Sequence, residues 1–363
     1  MALLSFKFDT QPINQVLSAG NSAVKLVILN RPHKLNSLNY EMGNGKGFCA
    51  GGDVVSVISS SLTGHWTYPL KFYGKQLILD HLAATYKKPL VSVINGVVMG
   101  GGAGLSMNTT FRIVTEKAVF AMPETYIGFF PDVSASYFLS RLPGYFGEYL
   151  GLTGARLDGI EMAACGLATH FIHSTKLNAL ENALQAITSS NVSTVSALIE
   201  TFTEKPTVKK DSPFKRLEII NKCFSKGTVE DIIQSLENEL ENGAEKKWIT
   251  NALNSMRSSS PMSLKIFLKS IRKGRIQNIE QCLHRDYNIA SHLFKRTVSN
   301  DFYEGSRAKL FDKDNKPKWE PSKLELVSDE MVEQHFTNIT DHAWEPLQLP
   351  QRFHSPIITA SRL

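Results

Sequence analysis

Apolar residues follow two rhythms along this chain. Up to about residue 172 they come in short blocks cut by Gly, Pro and Asn, and beyond about residue 175 they recur at i, i+3 and i+4. VKLVIL (24–29) predicts a strand stopped by Asn30, Arg31 and Pro32. LNSLNYEM (35–42) predicts the first two turns of a helix, with Asn36 or Ser37 as its cap. That helix runs straight into the loop GNGKG (43–47) and then FCAGGD (48–53). No apolar run intervenes to form the strand that normally presents such a loop. The periodicity of residues 70–86 predicts a helix feeding a buried strand over 90–98, which ends in Gly100, Gly101 and Gly102. Residues 103–107 begin a helix, 111–114 and 119–122 are short strands, 134–142, 145–152 and 158–166 are helices, and 169–172 is a further strand. Apolar stripes then predict helices over 177–187, 195–202, 213–223, 229–240, 244–256, 263–272 and 279–294. From Trp344 the chain is Pro-punctuated and aperiodic. The fold class is α/β: a catalytic core over 1–190, a helical region over 191–343 and a tail over 344–363.

With 363 residues, 42% of them hydrophobic, the chain can bury a full core. A net charge of +6 is compatible with polyanions. The Lys and Arg are spread along the chain, however, so a solvated basic surface is the better reading than nucleic-acid binding, and a phosphate-bearing ligand needs only a few of them. No apolar run is long enough to span a membrane, and MALLSFKFDT lacks a signal-peptide pattern. Cys49, Cys165, Cys223 and Cys282 form no C-x-x-C pair, and no histidine has metal-ligand spacing. A reducing compartment and no metal are therefore expected.

The chemistry points to residues 89–132. A strand, a glycine turn and a helix start bring free backbone N–H groups to one point, where negative charge is welcome. Glu124 stands in an apolar run and Asp132 closes it. A donor cradle and a lone carboxylate in an apolar pocket suit acyl or enolate chemistry. Competing readings are an unpaired surface glutamate for Glu124 and, equally weighted, a helix cap for Asp132. Cys49 reads as a small buried thiol rather than a nucleophile.

CAGGD (49–53), MGGGAG (99–104) and MPETYIGFFPD (122–132) occur in the order and spacing of the crotonase (enoyl-CoA hydratase/isomerase) superfamily. Within it the chain resembles 3-hydroxyisobutyryl-CoA hydrolases, especially the plant peroxisomal type, through LSRLPG at Leu139, GLTGARLDG at Gly151, GLATHF at Gly166, SPMSLKI at Ser260 and DFYEGSRAKLFDKDNKPKWEP at Asp301. The resemblance spans nearly the whole chain. It implies a ββα spiral core and an oxyanion hole made by the N–H groups of Ala50 and Gly101. Gly51, Gly52, Asp53, Gly100 and Gly102 would lie against the substrate. Glu124 would be nucleophile or general base, with Asp132 on the substrate hydroxyl. No cofactor is implied beyond the CoA thioester, which is substrate.

A hydratase carries a second glutamate where this chain has Gly104, which favours thioester hydrolysis over hydration. The alternatives are another crotonase reaction or an inactive acyl-CoA-binding splice product. Two features depart from the family. The acidic residue expected in the helix before Pro89 is replaced by Lys75-Gln76, and roughly two dozen residues, within the size of one αβ unit, are absent at Met42–Gly43. The terminal Ser361-Arg362-Leu363 resembles the peroxisomal Ser-Lys-Leu address, implying an import receptor as partner and a peroxisomal location. Homo-oligomerisation is left open.

Overall fold

The computed structural model describes residues 16–20, 24–29, 35–38, 47–242 and 246–351. β1 (Val16–Gly20) and β2 (Lys25–Leu29) form an antiparallel pair, so the first expected strand is present with a partner before it. β3 (Gly47–Cys49) leads through the AGGD loop into α1 (Val54–Thr63) and the long α2 (Thr67–Ala84). The apolar run expected as one strand is two, β4 (Val91–Ile94) and β5 (Val97–Met99), broken at Asn95-Gly96. Then come α3 (Gly101–Met107), β6 (Phe111–Val114) and β7 (Val119–Ala121).

The break at Asn95 explains the architecture. β4 joins a parallel three-stranded sheet in the order β4–β6–β9, where β9 is His170–Phe171. β5 joins the four-stranded sheet β3–β5–β7–β8, in which β8 (Leu157–Asp158) runs antiparallel to β7. Each turn of chain thus gives one strand to each sheet. Successive corners are tied by a hydrogen bond from the Thr115 hydroxyl to Asn95 Oδ1 at 2.8 Å. Such a spiral needs consecutive short strands rather than one long one, which is why a continuous apolar run conceals the corner.

The expected helix from residue 35 does not form over the described stretch. Leu35 and Asn36 have φ of 49° and 57°, which a right-handed helix cannot contain. The chain turns instead, and Leu38 bridges Gly52, donating its N–H to Gly51 O at 2.7 Å and accepting from Asp53 N at 2.8 Å. Neither Asn36 nor Ser37 caps a helix here. The Met42–Gly43 junction lies outside the described residues.

Helices α4 (Ala135–Phe138), α5 (Phe146–Thr153) and α6 (Gly159–Cys165) follow, the last with Asp158 and Glu161 as a complete capping box. The remainder is helical as expected: α7 (Leu177–Ala186), α8 (Val192–Glu200), α9 (Leu217–Phe224), α10 (Val229–Glu241), α11 (Lys246–Ser258), α12 (Pro261–Gly274), α13 (Ile279–Lys295) and α14 (Asp301–Ser306). One cluster of buried apolar side chains includes Leu77 and Phe120 from the first half and Phe267 and Leu293 from the second. α13 packs along α2, and α12 packs on α4 and α5. The helical half is therefore the support against which the sheets and α2 are held.

Candidate active site

Glu124 opens a 3₁₀ turn (Glu124–Ile127) directly after β7 and Pro123. The turn is braced from the helical half, since Ser260 N donates to Thr125 O at 3.1 Å and the Thr125 and Ser259 hydroxyls are 3.2 Å apart. Glu124 is 8% exposed, and its Oε2 has no partner among the described residues. Burial first, and then the neighbouring Asp132, hold its carboxyl well above the usual carboxylate range. Its Oε1 lies 2.8 Å from where a Cβ on Gly100 would stand, and Gly100 has φ +47°. Only glycine serves at that position, because it both takes the left-handed turn and lets a carboxylate lie against the backbone.

Asp132 is buried, and its pKa is pushed up to about 8 by burial and then by Asp286. It does not cap α4: Ser134 precedes that helix with no side-chain capping bond, and Asp132 contributes only its backbone O, to Ala135 N at 2.8 Å. After it, Val133 and Ser134 both have left-handed backbones, φ +50° and +67°. A valine there is strained. The strain is held by Asp286 on α13, whose Oδ2 accepts from Ser134 N at 2.8 Å, and by Asn108, which donates to the Ser134 hydroxyl at 2.7 Å.

α2 supplies a polar stripe towards this point. Tyr73, Gln76 and Asp80 are buried on the same helix face as Leu70 and Leu77, at helical spacing. Gln76 Nε2 and both Asp80 oxygens lack partners among the described residues, and the Tyr73 hydroxyl faces the Asp132 carboxyl. Burial, followed by Asp132 and Asp286, raises the Asp80 carboxyl well above its ordinary range. A cavity of about 580 Å³ is lined by Tyr73, Gln76, Glu124 and Asp132, and Asp80 is not on its wall. Ala50, Gly51, Gly52, Gly100 and Gly101 line one side of it. Tyr73, Phe129, Phe294 and Phe302 make an apolar wall, and Arg156 and Lys309 add two cations.

The enoyl-CoA hydratase/isomerase family matches residues 43–336 of this chain. 3-Hydroxyisobutyryl-CoA hydrolase 1 of Arabidopsis thaliana is 46% identical, over 96% of this chain and 98% of its own length. The probable 3-hydroxyisobutyryl-CoA hydrolase 3 of the same plant is 47% identical, over 93% and 96%. Among solved structures, a carnitinyl-CoA dehydratase from Mycobacterium thermoresistibile is similar at TM-score 0.80 and 31% identity, covering 90% of this chain and 98% of that one. This chain belongs to the enoyl-CoA hydratase/isomerase family.

Within that family frame, most of the expected residues meet at the cavity. Glu124, Asp132, Gly51, Gly52, Gly100 and Gly101 line it. Three expectations change. The Ala50 N–H donates to Leu35 O at 3.0 Å and is spent, whereas the N–H groups of Gly52 and Gly101 have no acceptor among the described residues. Asp53 turns away to cap α1, accepting from Ser56 N at 3.2 Å. Gly102 is packed on the Cys49 carbonyl, 2.2 Å from where its Cβ would be, and is a close-packing residue outside the cavity wall. Cys49 is a buried thiol with its pKa pushed up to about 12 by burial, so it carries no thiolate at neutral pH. Alignment with the first plant relative runs to 373 positions, more than this chain contains, so that relative has residues without a counterpart here.

Sequence reasoning missed Tyr73, Asp80 and Asp286. The 73/76/80 spacing on an inward face was the available signal for the first two; nothing local marks Asp286.

Proposed function

We propose that this chain hydrolyses the thioester of 3-hydroxyisobutyryl-CoA, the reaction carried in the names of the two plant relatives. The observation that carries the reading is the packing at position 104. A Cβ there would stand 2.5 Å from Val133 Cβ and 2.9 Å from Asp80 Oδ2. A second glutamate, which hydration needs, has no room, so Glu124 works without an acid/base partner at that point.

The thioester oxygen lies between the Gly52 and Gly101 N–H groups, which stabilise the charge that grows on it. Glu124, across the glycine turn, then acts in one of two ways. It attacks the carbonyl carbon, expelling the CoA thiolate and forming a mixed anhydride that water cleaves to acid and free Glu124. Alternatively it takes a proton from the water that attacks. Its apolar surroundings strengthen it as a base. Asp132, a proton donor over much of the neutral range, meets the acyl hydroxyl and supplies the proton for the leaving thiolate. Arg156 and Lys309 at the cavity wall meet the CoA phosphates.

Breakdown of valine is the setting that supplies this substrate. Ser361-Arg362-Leu363, outside the described residues, directs the chain to the peroxisome through an import receptor. A fluorescent fusion lacking those three residues is expected to stay outside peroxisomes.

The second reading, acyl-CoA binding without turnover, is favoured by the short Met42–Gly43 junction and by the Leu35 carbonyl on the Ala50 amide. Assay of the purified chain on 3-hydroxyisobutyryl-CoA and on crotonyl-CoA separates the readings. Thiol release from the first without hydration of the second supports hydrolysis. Hydration of crotonyl-CoA contradicts it, and saturable binding with neither reaction supports the second reading.

A further inference from the structure

Gln76 stands where the family resemblance leads one to expect an acid, and the structure gives this amide a specific place. It is 7% exposed, on the inward face of α2, and lines the cavity. Its Nε2 has no acceptor among the described residues. A Cβ on Gly101 would stand 2.2 Å from that nitrogen. The Gln76 amide therefore lies on the bare Cα of Gly101, one covalent bond (about 1.46 Å) from the Gly101 N–H. Leu38 closes the other side, its Cδ1 3.1 Å from the same point.

We propose that Gln76 is a third hydrogen-bond donor to the thioester carbonyl oxygen, beside the Gly101 N–H. The inference rests on the thioester-hydrolysis reading and deepens it. A buried amide N–H without an acceptor marks a place where a ligand oxygen completes the bond. With the acyl hydroxyl assigned to Asp132, which lines the same cavity, the oxygen left for the Gly101 N–H and the Gln76 amide is the thioester carbonyl. A neutral donor also suits the charge balance: Glu124 and Asp132 already place two carboxyls on this cavity, and a third would oppose the negative charge growing on the oxygen. A donor that strengthens as that charge develops acts on kcat more than on KM.

The test compares the wild-type chain with Q76M, an isosteric change without the donor, on 3-hydroxyisobutyryl-CoA and on isobutyryl-CoA, which lacks the hydroxyl. Thermal unfolding serves as the folding control. The expected result is a fall in kcat of about 10–100-fold on both substrates, with KM within about threefold. A kcat within twofold of wild type overturns the proposal, as does a loss confined to the hydroxylated substrate, which would place Gln76 on the hydroxyl.

A second readout works without turnover. The carbonyl stretch of ¹³C-labelled isobutyryl-CoA is recorded bound to E124Q and to E124Q/Q76M. Removal of the donor is expected to move the stretch back towards its value in free solution, and an unchanged stretch overturns the proposal. Failure of the hydrolase reading shows separately, as no thiol release by the wild-type chain.

Discussion

Two buried glutamates of the catalytic core, Glu124 and Glu148, show how differently this protein treats buried acids. Glu148 lies in the first turn of α5, has no exposed surface, and is gripped by Arg275, whose Nη2 lies 2.7 Å from Oε1 and 2.9 Å from Oε2. Arg275 in turn stacks over the Tyr145 ring, with its guanidinium carbon 4.7 Å from the ring centre, and Arg272 adds a further contact at 3.4 Å. Glu124 is buried to a similar degree and has no cation; the charge nearest to it in effect is another carboxyl, Asp132. A paired buried charge ties α5 to α12. Glu124 ties no elements together in this way, and the proposed hydrolysis gives its unpaired carboxyl a use. The acids around Glu124 follow the same logic: Asp80, Asp132 and Asp286 are all held above their ordinary range by burial.

The contrast can be broken most severely at Gly104. G104E would force a side chain into Val133 and Asp80 and add a further carboxyl. The expected outcome is a stability loss of about 3 kcal/mol or more, with no gain of crotonyl-CoA hydration, read by urea unfolding and hydratase assay. Next comes E148Q, which leaves Arg275 with half a partner. Stability falls by about 1–3 kcal/mol while thiol release stays within about twofold. Glu148 would join the catalytic account if rate fell and stability did not.

Asp132 gives a smaller, pH-dependent effect. Its folded pKa of about 8 exceeds the ordinary carboxylate value, so the folded state holds a proton that the unfolded state has released. That contribution is fully present below about pH 4 and is lost as pH rises through 8. D132N also removes the charge that helps raise Asp80 and Glu124, so the difference reports Asp132 together with its effect on those neighbours. D132N should gain stability relative to wild type between pH 5 and pH 8, by roughly 1 kcal/mol or more in paired urea titrations. An unchanged difference would mean that Asp132 is not held protonated. The smallest effect is expected at the cavity cations. R156A or K309A should raise KM for CoA thioesters about 3–10-fold, as loss of a partly solvated phosphate contact does, and leave N-acetylcysteamine thioesters unaffected.

Glu124 was legible in the sequence because a charge inside an apolar run has few structural uses. The helical half was legible because its stripes repeat for many turns. The corner at Asn95 was not, since an unbroken apolar run carries no record of which sheet each residue joins. The glycine loop at the cavity was visible in the sequence, but which of its amides stays free depends on the Leu35 carbonyl, a contact from outside the motif. Asp286 was hidden for the same reason: it reaches the site only because α13 packs along α2. Tyr73 and Asp80 share a face with Leu70 and Leu77, and the periodicity of that stripe marked a helix without marking its polar members.

The central claim, that an unpaired buried carboxylate at Glu124 performs the hydrolysis, is tested most directly by free-thiol release from 3-hydroxyisobutyryl-CoA by the wild-type chain and by E124Q, with unfolding followed on the same preparations. The account predicts release by the wild type, a fall of about 10²-fold or more in E124Q, and a variant at least as stable as its parent, because a buried acid has been replaced by a neutral amide. Release by E124Q at the wild-type rate would contradict it and move the chemistry to another group in the cavity.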